Sequence, residues 1–287
     1  MKLISWNVQW CRGCDGRVNP ARISKVIKEM ADVDVVCLQE VARNFPELPG
    51  SAGEDQYETL AGLFPGYTVA SGVATDVTSD MRAPQGERRE FGNAIIARLP
   101  VLQVYKRLLP WPADPSVPSM QRSAIEVVLA APWGPLRVTT THLEYYSERQ
   151  RSAQVEALRD LQLEAAGHAA SPRLDKEGGP FHVVPRPASG ILTADFNFHA
   201  DDPMHARIQA PIAAGVPAYR DAWRLVHPGK PQPPTIGVHD KSQWPEPSFA
   251  CDFIFVTEDL APRVEDVVVN VDTDASDHQP VLISLRD

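Results

Sequence analysis

Asp195 and Asn197 close the run Ile191-Leu192-Thr193-Ala194-Asp195-Phe196-Asn197, an acid and an amide two positions apart. Gly190 precedes the run and a polar loop follows it, the pattern of a buried strand reaching its end. Side chains alternate along a strand, so Asp195 and Asn197 face one way while Phe196 turns into the core. A carboxylate offers charged acceptors, and a carboxamide offers a donor and an acceptor. The pair can hold a water, a cation or a phosphate oxygen. Taken alone it also fits a plain polar turn, because Asp and Asn favour turns.

The same placement recurs along the chain. Asn7, Glu40, Asn93, His142, Asp252, Asp277 and His278 each end or begin an apolar stretch. If these strands share sheets, their ends converge on one rim. The set is rich in oxygen and contains no Cys, which suits Mg²⁺ or Mn²⁺ rather than Zn²⁺. Two histidines among acids suit proton transfer near neutral pH. An Asp bonded to a His fixes its tautomer and stabilises its charged form. Together these groups describe metal-assisted attack of water on a phosphoester.

The elements that must carry them follow from periodicity. Leu3–Asn7 alternates as a first strand, and Pro20 opens a helix with Ile23, Val26, Ile27 and Met30 on one face. Residues 34–40 form a buried strand that ends in Glu40. A short helix over Gln56–Phe64 and a strand over Tyr67–Val73 come next, then a polar surface loop over 74–90 that includes Asp80 and Arg82. Strands are expected at Phe91–Ala97, Val101–Leu108, Arg122–Leu129 and Leu136–His142, the last with Leu136, Val138, Thr140 and His142 on one side. Ser147 with Gln150 forms a capping box for a helix that stops at Gly167. Beyond 191–197 come a short helix from Asp202-Pro203, a second over Tyr219–Val226, and strands at Cys251–Val256, Val264–Val271 and Pro280–Leu285. Buried strands with intervening helices indicate an α/β layered architecture.

The bulk of the chain sets limits. Its 287 residues are 43% hydrophobic and 23% charged, ordinary for a soluble globular protein. No domain boundary stands out, so one domain over 1–287 is expected. The net charge of −9 argues against wrapping a long duplex, which calls for a basic stripe. Many of the 27 prolines cluster at 110–118, 172–187 and 228–247, which read as loops. No apolar leader precedes Lys2 and no apolar run approaches a membrane span. A cytoplasmic protein is therefore expected, presumed monomeric. Cys11 and Cys14 form a lone C-x-x-C without a second ligand pair, while Cys37 and Cys251 read as core residues.

Seven stretches in order resemble the endonuclease/exonuclease/phosphatase superfamily of DNase I-like enzymes: Ser5-Trp6-Asn7-Val8, Leu38-Gln39-Glu40-Val41, Gly92-Asn93-Ala94, Thr141-His142-Leu143, Asp195-Phe196-Asn197, Asp252-Phe253-Ile254-Phe255 and Ser276-Asp277-His278. The resemblance covers nearly the whole chain. It implies a four-layer α/β/β/α sandwich, two mixed sheets flanked by helices. It implies Glu40, Asn7 and Asp277 on the metal side, for Mg²⁺ or Mn²⁺. Asp195 and Asn197 would position or deprotonate the attacking water. His278, paired with Asp252, would bind phosphate or act as a base. His142 would be a second phosphate contact or the proton donor to the leaving group.

Asn93, Arg122 and Tyr145 are expected at the substrate. Members often carry an Arg where Ala250 stands, so Arg122 is the candidate for that charge. Arg151 and Gln154 match an Arg-x-x-Gln pattern that is either a solvated helix face or a support under the site. His199, Asp201 and His205 offer an accessory metal site, or surface and capping residues. Tyr145 and Tyr146 can stack on a base or ring, or pack partly buried against the neighbouring helix, and Trp10 adds to the aromatic content near the site. The first reading of function is a Mg²⁺-dependent phosphodiesterase acting on nucleic acid, at single-stranded, terminal or damaged ends. Thr141-His142-Leu143-Glu144 and the helix after it resemble the tyrosyl-DNA phosphodiesterase branch. The alternatives are an enzyme for a small or lipid phosphate, and a non-catalytic binding relative.

Overall fold

Alternation along each strand decides which side of which sheet a residue faces, and thereby builds the layers. A computed structural model describes residues 1–79 and 86–287 of the chain. The first sheet contains β1 (Lys2–Asn7), β2 (Val35–Arg43), β3 (Thr68–Thr78), β4 (Arg88–Ala97), β11 (Val264–Val269) and β12 (Val281–Leu285), in the order β11-β12-β1-β2-β4-β3. The second contains β5 (Val101–Leu108), β6 (Ser123–Ala131), β7 (Gly134–His142), β8 (Gly190–Asp195), β9 (Tyr219–Asp221) and β10 (Asp252–Thr257), in the order β5-β6-β7-β8-β10-β9. Each has one parallel pair at its centre, β1 with β2 and β7 with β8, among antiparallel neighbours.

Three apolar layers hold this together. Leu3, Val35, Cys37 and Ile95 of the first sheet meet Ile125, Val127, Val138, Ile191, Ile254 and Val256 of the second. On the outer face of the first sheet, Ile4, Trp6, Val36 and Leu38 pack on α1 (Pro20–Met30) and α2 (Gln56–Leu63) through Ile23, Ile27, Tyr57 and Leu60. On the outer face of the second, Leu192, Ala194, Phe253 and Phe255 pack on α3 (Glu148–Ala170) and α4 (Pro203–Gln209) through Val155, Leu158, Met204 and Ile208. This is the four-layer α/β/β/α sandwich. No helix among the described residues is long and apolar enough to cross a membrane.

The same parity continues to one end of the sandwich, where the inward positions turn polar. After Leu3 come Ser5 and Asn7, after Val138 come Thr140 and His142, and after Ile191 come Thr193 and Asp195. Gln39 Nε2 crosses between the sheets to Thr140 Oγ1 at 2.7 Å, and Asn93 Nδ2 crosses to the Ser123 carbonyl at 2.9 Å.

Several local expectations change. β2 does not end at Glu40 but runs to Arg43 through an irregularity between Leu38 and Val41. The loop over 74–90 is largely paired strand, with β3 reaching Thr78 and β4 starting at Arg88; Asp80 and Arg82 lie outside the described residues. Cross-strand pairing supplies backbone partners there that a polar sequence does not advertise. α3 passes through Gly167 to Ala170, because a helical glycine with open space around it costs only about 1 kcal/mol. Ser147 accepts from the Gln150 N–H as expected, but the Gln150 side chain donates to Pro112 and Ser119, so only half the capping box forms. The helix expected over Tyr219–Val226 is split: Tyr219–Asp221 pairs with β10, and Asp221 then caps α5 (Ala222–Val226).

Candidate active site

Asn7 is one of the links between the sheets. Strand parity points it inward, and its Oδ1 accepts the Gln9 N–H at 3.0 Å, which fixes the amide. Its Nδ2 then donates to Asp195 Oδ2 at 2.9 Å and to Glu40 Oε1 at 3.1 Å. Glu40 should point outward with Leu38. It does not, because β2 carries one extra residue there and Glu40 adopts φ 59°. That bulge places Gln39 and Glu40 on the same inner side. Burial, then the Asp277 charge, push the Glu40 carboxyl up to about 7.

Asp195 ends β8 and is buried. Asn197 lies past the strand end at φ 53°, so it does not share the face of Asp195 by strand alternation. A tight turn brings the two together instead: the Asn197 N–H donates to Asp195 Oδ1 at 3.0 Å. Asn197 Nδ2 donates to the Leu143 carbonyl and to His142 Nε2, both at 2.9 Å. His142 Nε2 faces both this amide hydrogen and Asp195 Oδ2, the latter at 3.3 Å, and the amide hydrogen favours the tautomer with the ring proton on Nδ1. That Nδ1 is buried without a hydrogen-bond partner, 3.7 Å from Glu40 Oε1. Burial, then the Arg122 charge, lower His142 to about 3.

His278 is held the opposite way. Its Nδ1 meets Asp252 Oδ2 at 2.9 Å, and its Nε2 lies 3.6 Å from Asp195 Oδ2. Burial disfavours its charge, but Asp252, Asp195 and Asp277 outweigh burial and hold it well above the usual imidazole range. The two histidines thus flank Asp195 in different states, one neutral and one cationic.

Asp277 sits beside this group, but its Oδ2 is taken. Gln9 Nε2 donates to it at 2.9 Å, Trp244 Nε1 at 2.9 Å and Gln243 Nε2 at 3.3 Å. The sequence reading missed Gln9, Gln243 and Trp244. They come from short irregular segments with no periodicity, and the cue available was Trp244, the lone aromatic residue of the 228–247 stretch. Tyr145 is half exposed and meets Trp244 edge-on at 6.0 Å and Tyr146 at 4.8 Å, giving an aromatic row beside His142. Trp10 instead bonds the Pro49 carbonyl.

Arg122 lines a small cavity with Asn93 and His142 and is paired with Glu144 at 3.3 Å. Asn93 Oδ1 is buried without a partner. The Arg-x-x-Gln pair supports this corner: Gln154 Oε1 accepts the Glu144 N–H at 2.8 Å, and Arg151 donates to the carbonyls of Glu144 and Tyr145. Of the two readings of that pair, the support role is the one observed.

His199, Asp201 and His205 do not assemble. Both ring nitrogens of His205 are engaged, by Asp221 at 3.0 Å and by Gln209 at 3.2 Å, while His199 stacks on Phe249. Cys11 is buried in the apolar layer under β1, whereas Cys14 donates to the Ser276 carbonyl. Both thiols are free, and burial pushes Cys14 up to about 11.

Residues 4–278 match the model of the endonuclease/exonuclease/phosphatase family. No curated protein matches the chain. An endonuclease/exonuclease/phosphatase structure from Beutenbergia cavernae superposes at TM-score 0.70 with 27% identity, over 100% of this chain and 71% of that one. A mannosyl-6-phosphatase of Bacteroides thetaiotaomicron superposes at 0.63 with 16% identity, over 100% of both chains. D. rerio TDP2 complexed with single strand DNA product superposes at 0.62 with 18% identity, over 100% of this chain and 99% of that one.

Proposed function

The chain belongs to the endonuclease/exonuclease/phosphatase family, and from that premise we propose that it is a divalent-metal-dependent phosphodiesterase acting on nucleic acid. The observation that carries this reading is the continuous chain Glu40–Asn7–Asp195 flanked by a neutral His142 and a cationic His278.

Mg²⁺ or Mn²⁺ fits the cleft by chemistry. Glu40, Asp195, Asp252 and Asp277 concentrate negative charge that His278 alone does not balance, and Glu40 is raised by burial first and then by the Asp277 charge. Glu40 would hold the ion. Asn7 would join only by turning Oδ1 away from Gln9, and Asp277 would act through its charge while Oδ2 stays bonded. A bound ion would polarise the phosphoryl group and offset charge on the departing oxygen.

The chain's own groups supply the rest. Asp195 is the proton acceptor for the attacking water, oriented by Asn7 and by the Asn197 N–H. His142 offers its unpaired Nδ1–H to a phosphoryl oxygen, because a ring lowered to about 3 stays neutral at pH 7 and does not serve as an acid. His278, kept cationic by Asp252, sets charge against the developing phosphorane. Arg122 and Asn93 face the same corner as His142.

The aromatic row Tyr146–Tyr145–Trp244 favours a nucleic-acid substrate, since base stacking on such faces is tolerant of sequence. A second reading, a small phosphoester, is favoured by the charge balance. Arg122 is already paired with Glu144, and the net charge is −9. Cleavage of a 5′-labelled single-stranded oligonucleotide with and without chelator tests the choice. A chelator-sensitive product ladder supports the nuclease. No cleavage by metal-loaded protein rejects it and turns the search to phosphate release from small esters.

A further inference from the structure

Cys251 reads from sequence as a core residue. It is fully buried, yet it belongs to none of the three apolar layers, unlike Cys37. Its surroundings are polar. Its Sγ lies 3.5 Å from Asp252 Oδ2 and 3.9 Å from Thr235 Oγ1, and its N–H donates to that same Thr235 oxygen. Its ligand atom falls within 4.8 Å of those of Asp195 and His278. Among the described residues this is the group of three His, Cys, Asp or Glu side chains close enough to share one ion.

We propose that Asp195, Cys251 and His278 form an inhibitory site for a thiophilic divalent cation, Zn²⁺ above all. One sulfur, one nitrogen and one oxygen suit Zn²⁺, which bonds each at about 2.0–2.3 Å and so wants its ligands roughly 3.3–3.8 Å apart. His278 Nε2 and Asp195 Oδ2 already stand 3.6 Å apart. His278 donates its other ring nitrogen to Asp252 at 2.9 Å, the outer bond that commonly orients a metal-bound histidine. On binding, Zn–S and Zn–N bonds replace the Cys251 S–H and the His278 Nε2–H bonds, and both protons leave to solvent. Mg²⁺ and Mn²⁺ are hard ions with little use for sulfur, so they are not drawn to this position. The ion would occupy two groups that the proposed hydrolysis needs. Inhibition therefore rests on that reading, while the binding itself does not.

Two measurements separate these. Co²⁺ added to the full chain should produce a near-ultraviolet thiolate charge-transfer band saturating at one equivalent. The band should vanish in Cys251→Ala and Cys251→Ser but persist in Cys14→Ala. In a Mg²⁺-supported assay, Zn²⁺ should inhibit the wild type, and Cys251→Ala should need at least tenfold more Zn²⁺ for the same loss. X-ray absorption of Zn²⁺ bound to the unaltered protein covers the case in which neither variant folds, and should show one sulfur neighbour. A band that survives in Cys251→Ala, or bound Zn²⁺ with no sulfur neighbour, overturns the site. Unchanged Zn²⁺ sensitivity with the band lost overturns only its inhibitory role.

Discussion

Glu40→Gln should stabilise the metal-free protein at alkaline pH and leave it unable to respond to metal. Glu40 is pushed up to about 7 from an ordinary 4.5, by burial first and then by Asp277. At about 1.4 kcal/mol per pH unit, that gap amounts to about 3 kcal/mol. The sign follows from proton counts. Between pH 4.5 and 7 the folded protein keeps a proton that the unfolded chain has released, so metal-free stability falls as pH rises through this window. Glutamine abolishes the titration, and its carbonyl can still accept the Asn7 bond. In chelator the variant should match the wild type near pH 4.5 and exceed it by about 3 kcal/mol at pH 8. Urea unfolding at both pH values measures the difference, and groups common to both proteins cancel. Adding Mg²⁺ at a hundred times its dissociation constant should return about 2.7 kcal/mol to the wild type and almost nothing to the variant. A wild-type-to-variant difference that stays flat from pH 4.5 to 8 would refute the argument that Glu40 is a charge stored at the protein's expense.

Other expectations bear on turnover and folding. Asp195→Asn and His278→Ala should each lower kcat by about 10²–10⁴-fold with circular dichroism unchanged; wild-type turnover in either removes that residue from the mechanism. Exhaustive chelation should abolish activity, and Mg²⁺ or Mn²⁺ should restore it, as read by single-time-point cleavage. Tyr145→Ala should weaken oligonucleotide binding by about 1–3 kcal/mol while sparing an ester without a base; equal losses on both substrates would count against stacking. Gly92→Ala should destabilise the fold by about 1–3 kcal/mol in urea titration, because its new Cβ would lie 2.3 Å from the Gly72 carbonyl oxygen.

Strand parity made much of the cleft readable from sequence. Asn7, His142, Asp195 and Asp252 each continue the inward face of an alternating strand, so a two-residue period carries them to the rim. Glu40 is different. Parity alone turns it outward with Leu38, and its placement depends on a bulge set by the register with β4, a long-range pairing with no local mark. Asn197 likewise reaches the site through a left-handed turn rather than a strand. The donors around Asp277 are less legible still, because Gln9, Gln243 and Trp244 are far apart in sequence and sit in irregular segments. Tyr219–Asp221 shows tertiary context overriding local pattern: helical periodicity gave way to three residues of pairing along the edge of β10 opposite β8.

The hydrogen bonds that cross from one sheet to the other have a mechanical meaning. Asn7–Asp195, Gln39–Thr140 and His278–Asp252 join groups whose backbones belong to opposite halves of the sandwich. The reactive centre is thus a vernier between two rigid plates, and a slip of an ångström between them misaligns it while each plate stays folded. Loss of turnover should precede loss of secondary structure on heating or in denaturant. Catalysis here reports alignment at the seam before any spectroscopic probe of the strands can.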